Sequence, residues 1–204
     1  MKILYIPAKL DFNVLNIKNI NLKEKRIALV STIQYLHKLD EIKKRLSKKY
    51  KVDISGQILG CNIKNAKKSK ANAFLFIGSK EFHPIYLKLK TNKPVYVFDP
   101  STNNLSKISD DEIKKIKQHI KGRYIKFLNA KRVGILVSLK PGQFNLNQAL
   151  KLKKQLKKES YIFISNTLNI NELENFRDID IFINTACPRI ESNKIINLED
   201  LKFQ

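Results

Sequence analysis

Two similar stretches of sequence, KRIALVS (Lys25–Ser31) and KRVGILVS (Lys131–Ser138), decide the predicted fold class. Each is a short apolar run rich in β-branched residues, which is typical of a buried strand, and we predict strands at Arg26–Ser31 and Arg132–Ser138. Each is followed by a loop and then by a segment with helical periodicity. Strands that alternate with helices indicate βαβ units and a mainly parallel sheet. The similarity fits either duplication of one α/β domain or the general likeness of buried strands.

The alternation extends over most of the chain. Other strands are predicted at Ile3–Ile6, Lys51–Ile54, Ala73–Ile77, Val95–Phe98, Ser160–Ser165 and Ile179–Asn184. Helices are predicted at Tyr35–Lys48, Asp110–Leu128, Leu146–Lys157 and Asn171–Phe176. The stretch Asp99–Ser109 is polar and rich in turn residues, so we place a domain boundary there. The prediction is an α/β chain with two tandem βαβ-type domains, 1–106 and 107–204, and no element after Arg189.

The charge of the chain is strongly positive. Its 204 residues include 40 basic and 18 acidic side chains, a net charge of +22. Such an excess attracts polyanions such as nucleic acid. Almost all of it is lysine, spread over every amphipathic helix, whereas groove and phosphate recognition favours arginine. We therefore expect a solvated basic surface and no dedicated nucleic-acid ligand, with an RNA-binding module kept as an alternative.

Other classes of protein are excluded by apolar patterning and cysteine content. No apolar run approaches the roughly 20 residues that cross a bilayer, so no membrane association is expected. The N-terminal apolar run is too short for a secretory signal, and the chain has two cysteines. A reducing cytoplasm is therefore the expected location.

Both cysteines follow predicted strands. Cys61 ends SGQILGC (Ser55–Cys61), and Cys187 lies in INTACPR (Ile183–Arg189). Loops at the carboxyl ends of parallel strands line ligand crevices, and thiolates bind iron–sulfur clusters. Two cysteines are too few for one cluster, however, and a lone cysteine is usually a small buried hydrophobe. Cys61 also follows the second strand of its half and Cys187 the third, which a strict repeat does not explain.

Two further loops are candidates for ligand binding. His83 lies in GSKEFHP (Gly78–Pro84), directly after a predicted strand. In KPGQ (Lys140–Gln143), a Pro-Gly turn exposes backbone N–H groups beside a lysine, which suits a carboxylate or phosphate. A structural histidine and a plain turn are the alternatives. His37 and His119 fall in helical segments and are expected on ordinary helix faces.

Together these motifs resemble the diphthamide synthase family, the archaeal type of 2-(3-amino-3-carboxypropyl)histidine synthase. The matching segments occur in the family's order over nearly the whole chain. They are STIQY (Ser31–Tyr35), GQILGC (Gly56–Cys61), GS (Gly78–Ser79) with FHP (Phe82–Pro84), VSLKPGQ (Val137–Gln143) and NTACPRI (Asn184–Ile190).

The resemblance implies three α/β domains around a pseudo-threefold axis, of which this chain would supply two. Each domain would give one cysteine to a [4Fe–4S] cluster, with Cys61 and Cys187 as the metal ligands here. The family uses the cluster and S-adenosylmethionine to form a 3-amino-3-carboxypropyl radical. The radical attacks a histidine of elongation factor 2, the first step of diphthamide synthesis. Gln57, His83, Lys140 and Gln143 are the candidate cofactor-binding residues.

The first family domain and its cysteine have no counterpart in this sequence. The resemblance therefore predicts a split enzyme whose missing domain and third cysteine come from a separate polypeptide. Elongation factor 2 would be the substrate, and further dimerisation is open. The alternative within the same family is a non-catalytic assembly or interaction subunit.

Overall fold

The computed structural model describes residues 4, 6–60, 62–79 and 82–201. The chain splits into two compact units, Met1–Ile113 and Lys114–Gln204. The division lies inside a helix, C-terminal to the boundary that the sequence predicted at 106/107. Among the described residues, no helix is both long enough and apolar enough to cross a membrane.

The first unit is built around a five-stranded sheet with strand order β2-β1-β3-β4-β5. The first four strands in that order are parallel, and β5 is antiparallel to β4. Its strands are β1 (Arg26–Ser31), β2 (Lys51–Gln57), β3 (Ala73–Ile77), β4 (Val95–Asp99) and β5 (Asn104–Lys107). Its helices are α1 (Leu39–Leu46), α2 (Lys64–Lys67), α3 (Phe82–Thr91) and the start of α4 (Asp110–Asn129), with 3₁₀ turns at Val14–Asn19 and Ile33–Lys38.

The second unit repeats this arrangement in a four-stranded, fully parallel sheet with order β7-β6-β8-β9. Its elements are β6 (Arg132–Ser138), α5 (Leu146–Gln155), β7 (Glu159–Ser165), β8 (Ile181–Asn184) and β9 (Ile195–Asn197), with 3₁₀ turns at Asn171–Asn175 and Leu198–Asp200. In each unit the first strand lies between the second and the third. The predicted α/β class with two mainly parallel sheets is confirmed.

The cores lie on the sheet faces because the central strands are apolar on both sides. In the first unit, Ile27, Leu29 and Leu75 are fully buried in a cluster that includes α1 residues. In the second unit, one face of the sheet packs against α5, and the other carries a smaller cluster around Phe182 and Leu173. Both sheets therefore have helices on one face, and the cover on the second face differs between them.

Several local predictions differ from the structure. Helix α3 was not predicted, because its segment FHPIYLKLKT is apolar on several sides and lacks a clear helical period. Strand β5 falls in the stretch assigned to the domain boundary, and β9 falls in the tail assigned no element. Both are short strands at the edges of their sheets, where apolar periodicity is weakest. The predicted strand Ile3–Ile6 lies largely outside the described residues.

Two of the predicted helices contain 3₁₀ turns. The segment predicted as Tyr35–Lys48 begins as the 3₁₀ turn Ile33–Lys38 and continues as α1, and Asn171–Asn175 is also a 3₁₀ turn. The two 3₁₀ segments are six and five residues long, which is too short to propagate a stable α-helix on its own.

A substitution at Gly134 would test how tightly β6 packs against the neighbouring aromatic rings. A Cβ atom at Gly134 would overlap the ring of Phe182 and lie 3.0 Å from Cε2 of Phe163. We expect Gly134→Ala to lower the free energy of unfolding by about 1–3 kcal/mol, because the core is overpacked. Gly122→Ala is the matched control, since a Cβ there meets no atom within 4 Å and alanine favours the helix. Urea unfolding of both variants checks this, and equal stabilities would contradict the packing described.

Candidate functional site

The carboxyl ends of the central strands of the first unit meet at one edge of its sheet. Ser31, the last residue of β1, pairs with Gln57 of β2 and with Ile77 of β3. A register shift leaves Ser55 of β2 unpaired, and Gly56 beside it has φ +77°. The bulge bends β2 just before the GQILGC motif, as bulges near binding sites commonly do. Candidate residue Gln57 thus lies at the sheet edge where ligands bind in parallel sheets.

The loop after β2 lies directly against the start of α3. A Cβ atom at Gly60 would overlap the ring of Phe82, so only glycine fits there. The next residue of α3, His83, stacks on Phe76 of β3, with ring centroids 6.3 Å apart and an interplanar angle of 9°. The structure therefore brings the residues before Cys61 together with the FHP segment. Cys61 itself lies outside the described residues.

Two buried polar atoms at this edge, Ser31 Oγ and Gln34 Oε1, have no hydrogen-bond partner among the residues that the structure describes. A buried polar group without a partner is costly, and in native proteins it usually meets bound water or a ligand. The edge of the first sheet therefore has the polar character of a binding site.

Tyr35 adds a hydrogen-bond donor near this edge. Burial, and then the carboxylate of Asp99, raise the pKa of its phenol above the ordinary value of 10.0. A Cβ atom at Gly78 would lie 3.8 Å from Cε2 of Tyr35, so the ring lies close to the loop after β3. Tyr35 consequently keeps its proton at neutral pH.

In the second unit, Cys187 lies on a loop that a buried side chain holds in place. Asn184 is 3% exposed, and its Nδ2 donates to the carbonyl of Cys187 at 2.7 Å and to Oδ1 of Asn197 at 2.8 Å. Its Oδ1 accepts from the N–H of Ala186 at 2.9 Å. Cys187 is half-buried and forms no disulfide. Its thiol therefore projects from a fixed backbone three residues beyond the end of β8.

The loop after β6, which contains KPGQ and ends at Asn145, is hydrogen-bonded to this cysteine loop through Asn145. Asn145 donates through Nδ2 to the carbonyl of Thr185 at 2.7 Å, and the hydroxyl of Thr185 donates to the carbonyl of Leu136 at 2.7 Å. Within the turn, the N–H of Gln143 donates to the carbonyl of Lys140 at 3.0 Å. The side chain of Lys140 is exposed, and that of Gln143 is half-buried. Candidate residues Lys140, Gln143 and Cys187 thus share one edge of the second sheet.

The two cysteine motifs occupy different positions in the repeated topology. The loop of Cys61 follows β2, which pairs with one side of β1. Cys187 follows β8, which pairs with the side of β6 that corresponds to β3 in the first unit. Within the part of the chain that the structure describes, no three His, Cys, Asp or Glu side chains group to hold a metal ion.

The comparisons with known proteins fix the family. A family model described as "Putative diphthamide synthesis protein" matches residues 1–198. This chain belongs to the diphthamide synthesis family. It is 33% identical to the 2-(3-amino-3-carboxypropyl)histidine synthase of Pyrococcus horikoshii over 205 residues, which cover 92% of the chain and 58% of that protein. The synthase of Methanocaldococcus jannaschii is also 33% identical, over 93% of the chain and 56% of that protein.

A solved structure supports the same family. The chain is similar to the crystal structure of Dph2 from Pyrococcus horikoshii with a 4Fe-4S cluster, with a TM-score of 0.75 and 31% identity. The match covers 86% of this chain and 56% of that one. The chain therefore spans rather more than half the length of the relatives it matches, and the resemblance found in its motifs is confirmed.

Removal of the Asn184 side chain should destabilise the cysteine loop measurably. We expect Asn184→Ala to lower the free energy of unfolding by about 1–3 kcal/mol, because it leaves buried partners unsatisfied. In a Cys61→Ala background, iodoacetamide should alkylate Cys187 several times faster in this variant, because the loop opens. Asn166→Ala, an exposed change in the same unit, is the control. Equal stability and equal alkylation rates in the two variants would refute the role assigned to Asn184.

Proposed function

We propose that this chain supplies two cluster-binding domains of a 3-amino-3-carboxypropyl transferase. The enzyme would use a [4Fe–4S] cluster and S-adenosylmethionine to modify a histidine of elongation factor 2, the first step of diphthamide synthesis. The observation that carries the proposal is the half-buried Cys187 thiol on a hydrogen-bonded loop, in a family with a cluster-containing relative.

The donor chemistry of the chain fits such a cluster. Iron–sulfur clusters are held by cysteine thiolates, and Cys61 and Cys187 are the cysteines of the chain. Cys187 is accessible enough to bind a metal and lies at the sheet edge where ligands bind. In this proposal Cys187 is one thiolate ligand and Cys61 is another. When bound, the cluster supplies the electron that cleaves S-adenosylmethionine.

The remaining candidate residues would bind and orient the cofactor. The ammonium of Lys140 and the backbone N–H groups of its turn suit the carboxylate of an amino acid moiety. Gln57 offers an amide donor and acceptor, and His83 presents a ring whose plane is set by stacking on Phe76. The hydroxyl of Ser31, which has no hydrogen-bond partner in the described part of the chain, would provide another polar contact at the edge of the first sheet.

A further part of the proposal is a separate polypeptide that brings the third cysteine. Support for it comes from the cysteine count, since this chain has two and a cluster with one open iron needs three. The radical route and dependence on S-adenosylmethionine rest on the family resemblance.

Cysteine variants test the proposal. The chain is reconstituted anaerobically with iron, sulfide and candidate one-domain partners that carry a cysteine, and it is assayed with dithionite as the reductant and with labelled S-adenosylmethionine. We expect about four iron atoms per complex and transfer of the labelled 3-amino-3-carboxypropyl group to elongation factor 2. Cys61→Ala and Cys187→Ala should each abolish both, because a thiolate ligand is lost.

The control for these variants is Thr167→Ala, an exposed change in the second unit that should leave iron content and transfer unchanged. Circular dichroism checks that every variant is folded. Iron content and transfer that survive the cysteine substitutions would reject the cluster role and favour a non-catalytic assembly subunit.

A further inference from the structure

A cavity of about 450 Å³ lies within the second unit, on the face of the sheet that carries Phe182. Its apolar floor includes Leu173 and the fully buried Phe182. Its polar residues include Glu174, Arg177 and Lys194. This volume falls within the range of roughly 300–1,000 Å³ that is typical of small-molecule sites.

The cavity exists because the second unit lacks a helix that the first unit has. In the second sheet, Phe182 of β8 pairs with Gly134 of β6. In the first sheet, Phe74 of β3 pairs with Ala28 of β1, so Phe74 and Phe182 are at equivalent positions. In the first unit, β3 is connected to β4 through α3, which covers this face and stacks His83 on Phe76. In the second unit, residues 185–194 connect β8 to β9, and this fully described segment contains no helix. Side chains that include Ile170, Leu173 and Ile190 cover Phe182 here in place of a helix, and the cavity lies beside them.

The charges around the opening are predominantly positive. Neither the guanidinium of Arg177 nor the ammonium of Lys194 forms an ion pair or hydrogen bond with any residue that the structure describes. Lys126 adds a third cation, since its Nζ donates to the carbonyl of Asn193 at 3.3 Å. Glu174 is the one carboxylate among the lining side chains. The net charge of the lining and its neighbour Lys126 therefore favours an anion.

In the first unit, the strand equivalent to β9 is β4, and the lysine before it, Lys93, differs from Lys194 in its hydrogen bonds. Lys93 donates through Nζ to the carbonyls of Ser69 and Ala71, at 3.1 and 2.7 Å. The ammonium of Lys93 therefore donates hydrogen bonds to backbone carbonyls of the protein itself. Lys194 has no such carbonyl partners among the described residues, so its ammonium is available to a ligand.

We propose that this cavity binds a small organic anion that carries a planar ring. The ring would lie against Ile170 and Leu173, the apolar lining residues that keep some exposure. Beneath them lies the aromatic pair Phe163 and Phe182, with ring centroids 5.4 Å apart. The phosphate, sulfonate or carboxylate would pair with Arg177 and Lys194. Glu174 would accept a hydrogen bond from an amino or hydroxyl group of the ligand.

The proposed site is separate from the cysteine loop. Phe182 is the second residue of β8, and Lys194 directly precedes β9, so the cavity lies toward the amino ends of these strands. Cys187 follows the carboxyl end of β8. Because β8 and β9 are parallel, the two features occupy opposite ends of the same strands. Binding in the cavity therefore does not depend on the proposed cluster.

A fluorescence titration with 8-anilinonaphthalene-1-sulfonate tests this site in the intact chain. The probe combines aromatic rings with a sulfonate, so it should bind with increased fluorescence. The double variant Arg177→Gln/Lys194→Gln should weaken binding about tenfold, since it removes two charge contacts. The control Lys153→Gln/Lys154→Gln removes the same charge from exposed positions on α5 and should change binding less than twofold.

Displacement of the probe by competitors tests separately whether the ring and the anionic group of the ligand are needed for binding. Adenosine monophosphate should displace it, whereas adenosine and inorganic phosphate should do so at least tenfold less well, because each lacks one half of the recognition. The proposal is overturned if the Arg177 and Lys194 variant binds the probe like the wild type, if both double variants lose binding equally, or if adenosine competes as well as its monophosphate.

Discussion

The buried amide of Asn184 is the contact on which the geometry of the cysteine loop depends. It lies at the carboxyl end of β8, between β6 and β9, where solvent does not replace a lost partner. Its hydrogen bonds join the carbonyl of Cys187, the N–H of Ala186 and the side chain of Asn197 in one network. A metal ligand is effective when surrounding groups fix it beforehand, and this network would give that support to Cys187 in the proposed function.

The two units share a strand order and differ in their connections. The connection from β3 to β4 contains α3, whereas the connection from β8 to β9 contains the cysteine motif and no helix. The same difference explains both features of the second unit. It leaves Cys187 on an accessible loop at one end of β8, and it leaves a cavity beside the side chains that cover Phe182 in place of a helix. Two sheets with the same strand order can thus carry different sites through a difference in one connection.

The sequence predicted the central strands well and the edges poorly. Arg26–Ser31, Ala73–Ile77 and Arg132–Ser138 are found with the predicted bounds, because strands buried on both faces are continuous apolar runs. The short edge strands β5 and β9 have no such run. The placement of Lys140, Gln143 and Cys187 at one sheet edge follows from parallel strand order. The roles of Asn145 and Asn184 do not, because their partners come from segments distant in sequence.

The most direct test of the central claim is an anaerobic crystal structure of the reconstituted complex, with anomalous scattering recorded at the iron edge. The account predicts iron about 2.3 Å from the Sγ atoms of both Cys61 and Cys187, a usual metal–thiolate distance, with the two sulfurs roughly 6–7 Å apart. Iron bound elsewhere, or cysteine sulfurs that point into separate apolar interiors, would contradict it.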